Sequence, residues 1–151
     1  MIHHEAVLHQ QVADYLSTAY PHVIYRTDFA AGIKMTMGQA VKHKRLQHGR
    51  AYPDLTINYP NHGYHGLFIE LKHPNGGAQP YLKDGVTRSN NKHCLEQWAV
   101  LDQLNKLGYC ANMAVGLSQA ITIIDWYLGN KNTKPTLEQL SNLRNYRIRQ
   151  S

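Results

Sequence analysis

The segment PDLTINYPNHGYHGLFIELK, Pro53 to Lys72, decides how this chain folds. Asp54 to Asn58 alternates polar and apolar residues, and Gly66 to Lys72 is rich in strand formers. Tyr59 to His65 places turn residues between them, so the segment predicts a hairpin. Side chains on a strand alternate between its two faces. Leu55 and Ile57 therefore share one face with Leu67, Ile69 and Leu71. Asp54, Thr56 and Asn58 share the other with Phe68, Glu70 and Lys72. A turn centred on His62 sets Asp54 opposite Glu70, with Cβ atoms about 5 Å apart. A register slipped by two residues satisfies the same apolar pattern. Lys72 lies on the face of Glu70, about 7 Å further along.

Two carboxylates this close repel each other and favour either a shared proton or a bound cation. Hard oxygen ligands suit Mg²⁺ or Mn²⁺. Such an ion polarises a scissile phosphate and acidifies an attacking water. A neighbouring lysine orients that water or stabilises charge growing on the phosphate. The competing reading is a solvated strand face that carries Glu and Lys behind a Pro-Asp turn.

Pro53-Asp54 followed by Glu70-Leu71-Lys72 resembles the PD-(D/E)xK nuclease signature. More of the chain resembles one branch of that superfamily, the VRR-Nuc (virus-type replication-repair nuclease) domains, from about Gly32 to Gly129. The agreement includes Gly38-Gln39-Ala40, Arg50 to Leu55, Gly66 to Lys72 and His93 to Gln97. It continues through Leu107-Gly108-Tyr109, Gly116 and Ala120, and ends with Ile124 to Gly129. The chain departs from the pattern at Arg50-Ala51-Tyr52, where a glycine is expected close to the motif. The resemblance implies a restriction-endonuclease-like core of the α/β class and a metal-dependent DNA endonuclease. It implies that Asp54, Glu70 and the backbone carbonyl of Leu71 bind Mg²⁺ or Mn²⁺, with Lys72 and Gln97 completing the catalytic set. A glutamate on the first helix often assists the metal in this superfamily, a role open to Glu5. Equally, Glu5 is an acid in a first helical turn, where it favours the dipole.

The 151 residues suit one domain, with a core over about 3–129 and a basic tail over 130–151. A net charge of +6 and pI near 9.4 point to an acidic partner, without separating nucleic acid from membrane. No apolar run is long enough to span a bilayer, and the N-terminus lacks a signal-peptide pattern. Cys94 and Cys110 form no disulfide framework or metal motif, which suits a reducing cytoplasm. The ten histidines are scattered and read mostly as surface residues.

Periodicity predicts a first helix over His4 to Tyr20, with Leu8, Val12, Tyr15, Leu16 and Ala19 inward. Val23 to Thr27 predicts a strand, and Phe29 to Met37 a loop. Thr36 to His48 predicts a short helix capped by Gly49. Its cations Lys42, Lys44 and Arg45, with Arg50 beyond, directly precede the Asp54 strand and are candidate phosphate contacts. His73 to Lys92 is a long Gly-, Pro- and Asn-rich connection. Within it Asp84-Gly85 predicts a hairpin over Tyr81 to Arg88. That hairpin is either a flap closing on DNA through Lys83, Arg88 and Lys92, or a mobile surface element. Asn91 to Leu107 predicts a helix with Trp98, Leu101 and Leu104 inward and Gly108 as its cap. Gln97 is in line with Leu101 and Leu104 and so faces inward. His93 either reaches phosphate or caps the helix. Tyr109 to Leu117 predicts a buried strand. Ser118 to Leu128 predicts a helix with Ser118 as N-cap and Ile121, Ile124 and Leu128 inward. Thr136 to Gln139 fits a capping box for a last helix through about Tyr146, made basic by Arg144, Arg147 and Arg149. The whole describes a mixed sheet flanked by helices.

Stand-alone domains of the resembled family are similar to Holliday junction resolvases. The expectation is a homodimer acting on branched DNA, since two opposed cuts require two sites. Its interface lies in the tail from Leu137 to Arg149 or on the first helix. Two alternatives stand beside this: a DNA-binding module of the same fold without chemistry, and a sequence-specific restriction-type endonuclease.

Overall fold

The computed structural model describes residues 4–28, 33–129 and 133–150, with residues 144–150 described by backbone alone. Helix α1 (His4–Ala19) leads into strand β1 (Tyr25–Thr27), helix α2 (Met37–Arg45) and strands β2 (Leu55–Ile57) and β3 (Leu67–Lys72). Helix α3 (Lys92–Lys106), strand β4 (Cys110–Val115) and helices α4 (Leu117–Leu128) and α5 (Leu137–Gln150) follow. The four strands form one mixed sheet in the order β1-β2-β3-β4. The first two pairings are antiparallel, and β3 runs parallel to β4. A parallel pair needs a crossover, and α3 supplies it.

The hairpin register is the one that centres on His62. Leu55 faces Ile69, Thr56 faces Phe68 and Ile57 faces Leu67. One step further along the same alignment sets Asp54 opposite Glu70. The turn is pinned to the end of α4. Asn61 Nδ2 donates to the Tyr127 carbonyl at 2.7 Å, and His62 stacks on Trp126 at 4.7 Å. His62 has a positive φ of 52°, which lets the chain reverse there.

The apolar face of the hairpin packs under α1 and α4. Leu55, Ile57, Leu67, Ile69 and Leu71 join Leu8, Val12, Leu16, Ile123, Ile124 and Tyr127 in one core. The other face carries a smaller core under α3, built from Phe68, Tyr81, Trp98, Leu101 and Met113. Helices therefore cover both faces of a mixed sheet, the α/β arrangement expected.

Several boundaries differ from the sequence reading. Helix α2 begins with Thr36 as N-cap in a capping box with Gln39 and ends at Leu46, so Gly49 is not its cap. Gly49 instead takes a left-handed turn further on, at φ +67°. Gly116, not Ser118, precedes α4, because its φ of 87° turns the chain from β4 directly into the helix. The buried residues of α4 are Gln119, Ala120, Ile123, Ile124, Trp126 and Tyr127; Leu128 is half-buried and packs against the core, whereas Ile121 is half-buried at its margin. The Thr136–Gln139 capping box is present, and α5 runs on to Gln150, past Tyr146. The Phe29 to Gly32 part of the expected loop, and the side chains of Arg144, Arg147 and Arg149, lie outside the described residues. Among the described residues, no helix is long and apolar enough to cross a membrane.

Candidate active site

Strand β3 has neighbours on both sides, and all six of its side chains are buried. Two of them are charged: Glu70 is 4% exposed and Lys72 is 8% exposed. Buried ions are costly unless paired, hydrogen-bonded or held for another purpose. Asp54 enters the same pocket from the start of β2. Its Oδ2 accepts the backbone N–H of Leu71 at 2.9 Å, which fixes the carboxylate against β3. The carboxyl groups of Asp54 and Glu70 lie within hydrogen-bonding reach of each other.

Their environment is electrostatically strained. Burial pushes the Glu70 carboxyl well above the usual carboxylate range, and the charges of Asp54 and Glu5 push it further, against the pull of Lys72. Burial also raises Asp54, while His9, Glu70 and the Leu71 amide pull it back. Without a cation, the shifts of both acids favour retention of a proton by the pair. Two buried acids that repel each other in this way are a donor set that fits a hard metal ion. Among the described residues, no three His, Cys, Asp or Glu side chains already converge at metal-binding distance. A backbone carbonyl such as that of Leu71 would have to complete the set.

Helix α3 contributes Gln97, 5% exposed, whose Nε2 donates to Glu70 Oε1 at 2.6 Å. Asn91 caps this helix by accepting the Cys94 N–H at 3.2 Å, which sets the rotation that aims Gln97 at β3. The Gln97 Oε1 is buried without a hydrogen-bond partner. Lys72, Glu70, Asp54 and Gln97 are thus brought together. Glu5 is exposed on α1, near enough for its charge to act on both acids.

The sequence reading missed His9. It lies one turn beyond Glu5 and is 5% exposed, with Nε2 3.7 Å from Asp54 Oδ2. Its spacing of four from Glu5 was the available signal.

The expected DNA contacts fall into different settings. Lys42, Lys44, Arg45 and Arg50 are exposed on and after α2, with Arg50 3.4 Å from Glu96. A cleft of about 480 Å³ opens between this region and the sheet, lined by Arg26, His43, His48, Tyr52, Asp54 and Thr56 among others. Lys83 and Lys92 are exposed. Tyr81 to Arg88 does form a hairpin, bridged at its ends and with Asp84 accepting the N–H groups of Val86 and Thr87. Arg88 makes a bidentate pair with Asp102 at 2.8 and 2.9 Å and lies 4.1 Å over Trp98. His93 is exposed one turn before Gln97.

A layered α/β fold with paired acids, a lysine and a glutamine on adjoining elements is of the restriction-endonuclease-like type. A solved structure described as a VRR_NUC domain protein shares this fold with a TM-score of 0.51, covering 80% of this chain and 88% of its own, at 24% identity. No family model and no curated protein matches the sequence.

Proposed function

We propose that this domain is a metal-dependent DNA endonuclease that hydrolyses phosphodiester bonds. The observation that carries this reading is the burial of Glu70 and Lys72 on an inner strand, with Asp54 opposite and Gln97 hydrogen-bonded to the acid. A fold that needed only stability would place apolar residues there. Asp54, Glu70 and the Leu71 carbonyl are the groups that would hold Mg²⁺ or Mn²⁺. A bound dication would supply charge neutralisation at the phosphate and acidify the attacking water.

The protein groups have distinct tasks in this reading. The Leu71 amide and Gln97 fix the two carboxyls, so little reorganisation accompanies the reaction. Lys72 presents its ammonium beside them, to orient the nucleophile or to stabilise charge on the phosphate. The exposed cations of α2 supply affinity without sequence preference. We further propose a homodimer that acts on branched DNA, since each chain offers one such site and paired cuts need two.

The test is cleavage of linear, flapped and four-way DNA with Mg²⁺ or Mn²⁺. Asp54→Ala and Glu70→Ala are expected to lose cleavage while still binding DNA, and near wild-type cutting by either sinks the site assignment. Light scattering near twice 17.2 kDa and paired nicks at a four-way junction are expected of the dimer. A monomer that degrades linear and branched DNA alike removes the branched-DNA reading and leaves the nuclease one.

A further inference from the structure

The imidazole of His9 is a buried polar ring in this pocket with both of its nitrogens unpaired by hydrogen bonds. It is buried on α1 between core residues Leu8 and Val12, and neither ring nitrogen has a hydrogen-bond partner. Burying an unpaired polar ring costs free energy that a leucine at this position would not. The facing atom is Asp54 Oδ2, at 3.7 Å. That separation is too long for a hydrogen bond. Nor can the carboxylate swing freely toward the ring, because the Leu71 N–H holds the same oxygen at 2.9 Å.

The separation does suit two ligands of one ion. Donor atoms about 2.1 Å from an octahedral dication stand about 3 Å apart when adjacent and about 4 Å apart when opposed. The 3.7 Å between Nε2 and Oδ2 lies between those two values, and a closing shift of about 0.7 Å sets the two atoms as adjacent ligands of one ion. Glu70 Oε1 accepts from Gln97 at 2.6 Å, whereas the acid that His9 faces is Asp54.

We propose that His9 Nε2 is a further ligand to the cation held by Asp54, and that it biases the site toward Mn²⁺ over Mg²⁺. This rests on the metal-dependent reading above and adds a nitrogen donor to an oxygen set. Mg²⁺ takes oxygen ligands and gives up water reluctantly, whereas imidazole nitrogen binds first-row transition ions more readily. One histidine therefore discriminates between two ions of the same charge.

Pulsed electron paramagnetic resonance of the full chain with bound Mn²⁺ tests this without reference to activity. A directly coordinated ¹⁴N coupling is expected in the wild type, altered by ¹⁵N-histidine labelling and absent from His9→Gln. Calorimetry is expected to show Mn²⁺ affinity lowered about tenfold or more in His9→Gln, with Mg²⁺ affinity changed less because glutamine still offers an oxygen. If His9→Gln does not fold, the coupling is expected to persist in His4→Gln and His73→Gln, whose rings stack on each other just after Lys72. Its loss in either overturns the proposal. So does wild-type protein that binds Mn²⁺ with no histidine nitrogen coupling, which leaves the nuclease reading intact. Wild-type protein that binds Mg²⁺ but no Mn²⁺ overturns this proposal alone; protein that binds neither ion, or binds them equally after Asp54→Ala, overturns both.

Discussion

Strand β3 and helix α2 both carry charged residues assigned to the same chemistry, and they differ in almost every physical respect. On β3 every side chain is buried, and the charges of Glu70 and Lys72 alternate with Leu67, Ile69 and Leu71 in the core. On α2 no side chain is buried, and Lys42, Lys44 and Arg45 project into solvent beside exposed Met37 and Val41. A buried charge has one position and a costly environment, so it can act on one atom of a substrate. An exposed charge has many positions and a screened field, so it acts on a polyanion as a whole. Under the proposed function, the difference separates residues suited to chemistry from residues suited to collecting substrate.

The sharpest way to break this comparison is at Lys72. Lys72→Met is expected to lower the cleavage rate by about 10²- to 10³-fold while leaving thermal stability equal or higher, since a buried charge is replaced by an apolar chain of similar length. A folded variant that cuts normally removes Lys72 from the chemistry. On the opposite face of the same strand the expectation reverses. Ile69→Ala is expected to cost about 2–5 kcal/mol of stability in urea denaturation and to affect cleavage only through the fraction unfolded.

The acid pair gives the comparison a pH signature. Glu70 is raised in the folded protein, so the native state holds a proton that the unfolded chain has released. The contribution of Glu70 to the stability of the metal-free protein is therefore expected to be greatest below the ordinary carboxylate range. It then declines as pH rises from there through the raised Glu70 value, by up to about 1.4 kcal/mol per pH unit for one proton. Glu70→Gln is expected to flatten this slope, and melting curves across pH check it. The smallest effect belongs to α2. Replacing Lys42 and Lys44 with alanine is expected to flatten log K against log[salt] for DNA by about two units, with melting temperature nearly unchanged. An unchanged slope moves the DNA path away from α2.

The parts legible in the sequence are those set by parity and periodicity. The even register of the hairpin followed from the alternation of Leu55, Ile57, Leu67, Ile69 and Leu71, and the turn centre selected the pairing of Asp54 with Glu70. The inward aim of Gln97 followed from its spacing to Leu101, and it meets Glu70. His9 was illegible because Gln10 and Gln11 beside it read as a polar helix face, and only the packing of α1 over the sheet brings it to Asp54. Arg88 looked like a free cation on a flap because its partner Asp102 lies on another element. The misplaced caps have a shared cause. Gly49 and Gly116 do adopt left-handed backbone, but at Gly49 this serves a later turn and at Gly116 it starts a helix. A glycine in sequence signals conformational freedom without saying which element uses it.

The pinned turn at His62 has a consequence for how this gene can change length. Asn61 and His62 are tied to the end of α4, so the loop from Asn58 to Gly66 cannot grow or shrink unnoticed by the strands. Inserting one residue there, with pairing re-formed around the longer loop, would exchange the faces of one strand relative to the other. Inserting two would restore the faces and displace Asp54 along β3 from its partner. Odd changes are therefore expected to abolish folding. Even ones spare the core and separate the acids, leaving soluble and inactive protein. Length variants of this loop, scored separately for solubility and for cleavage, would make that parity visible.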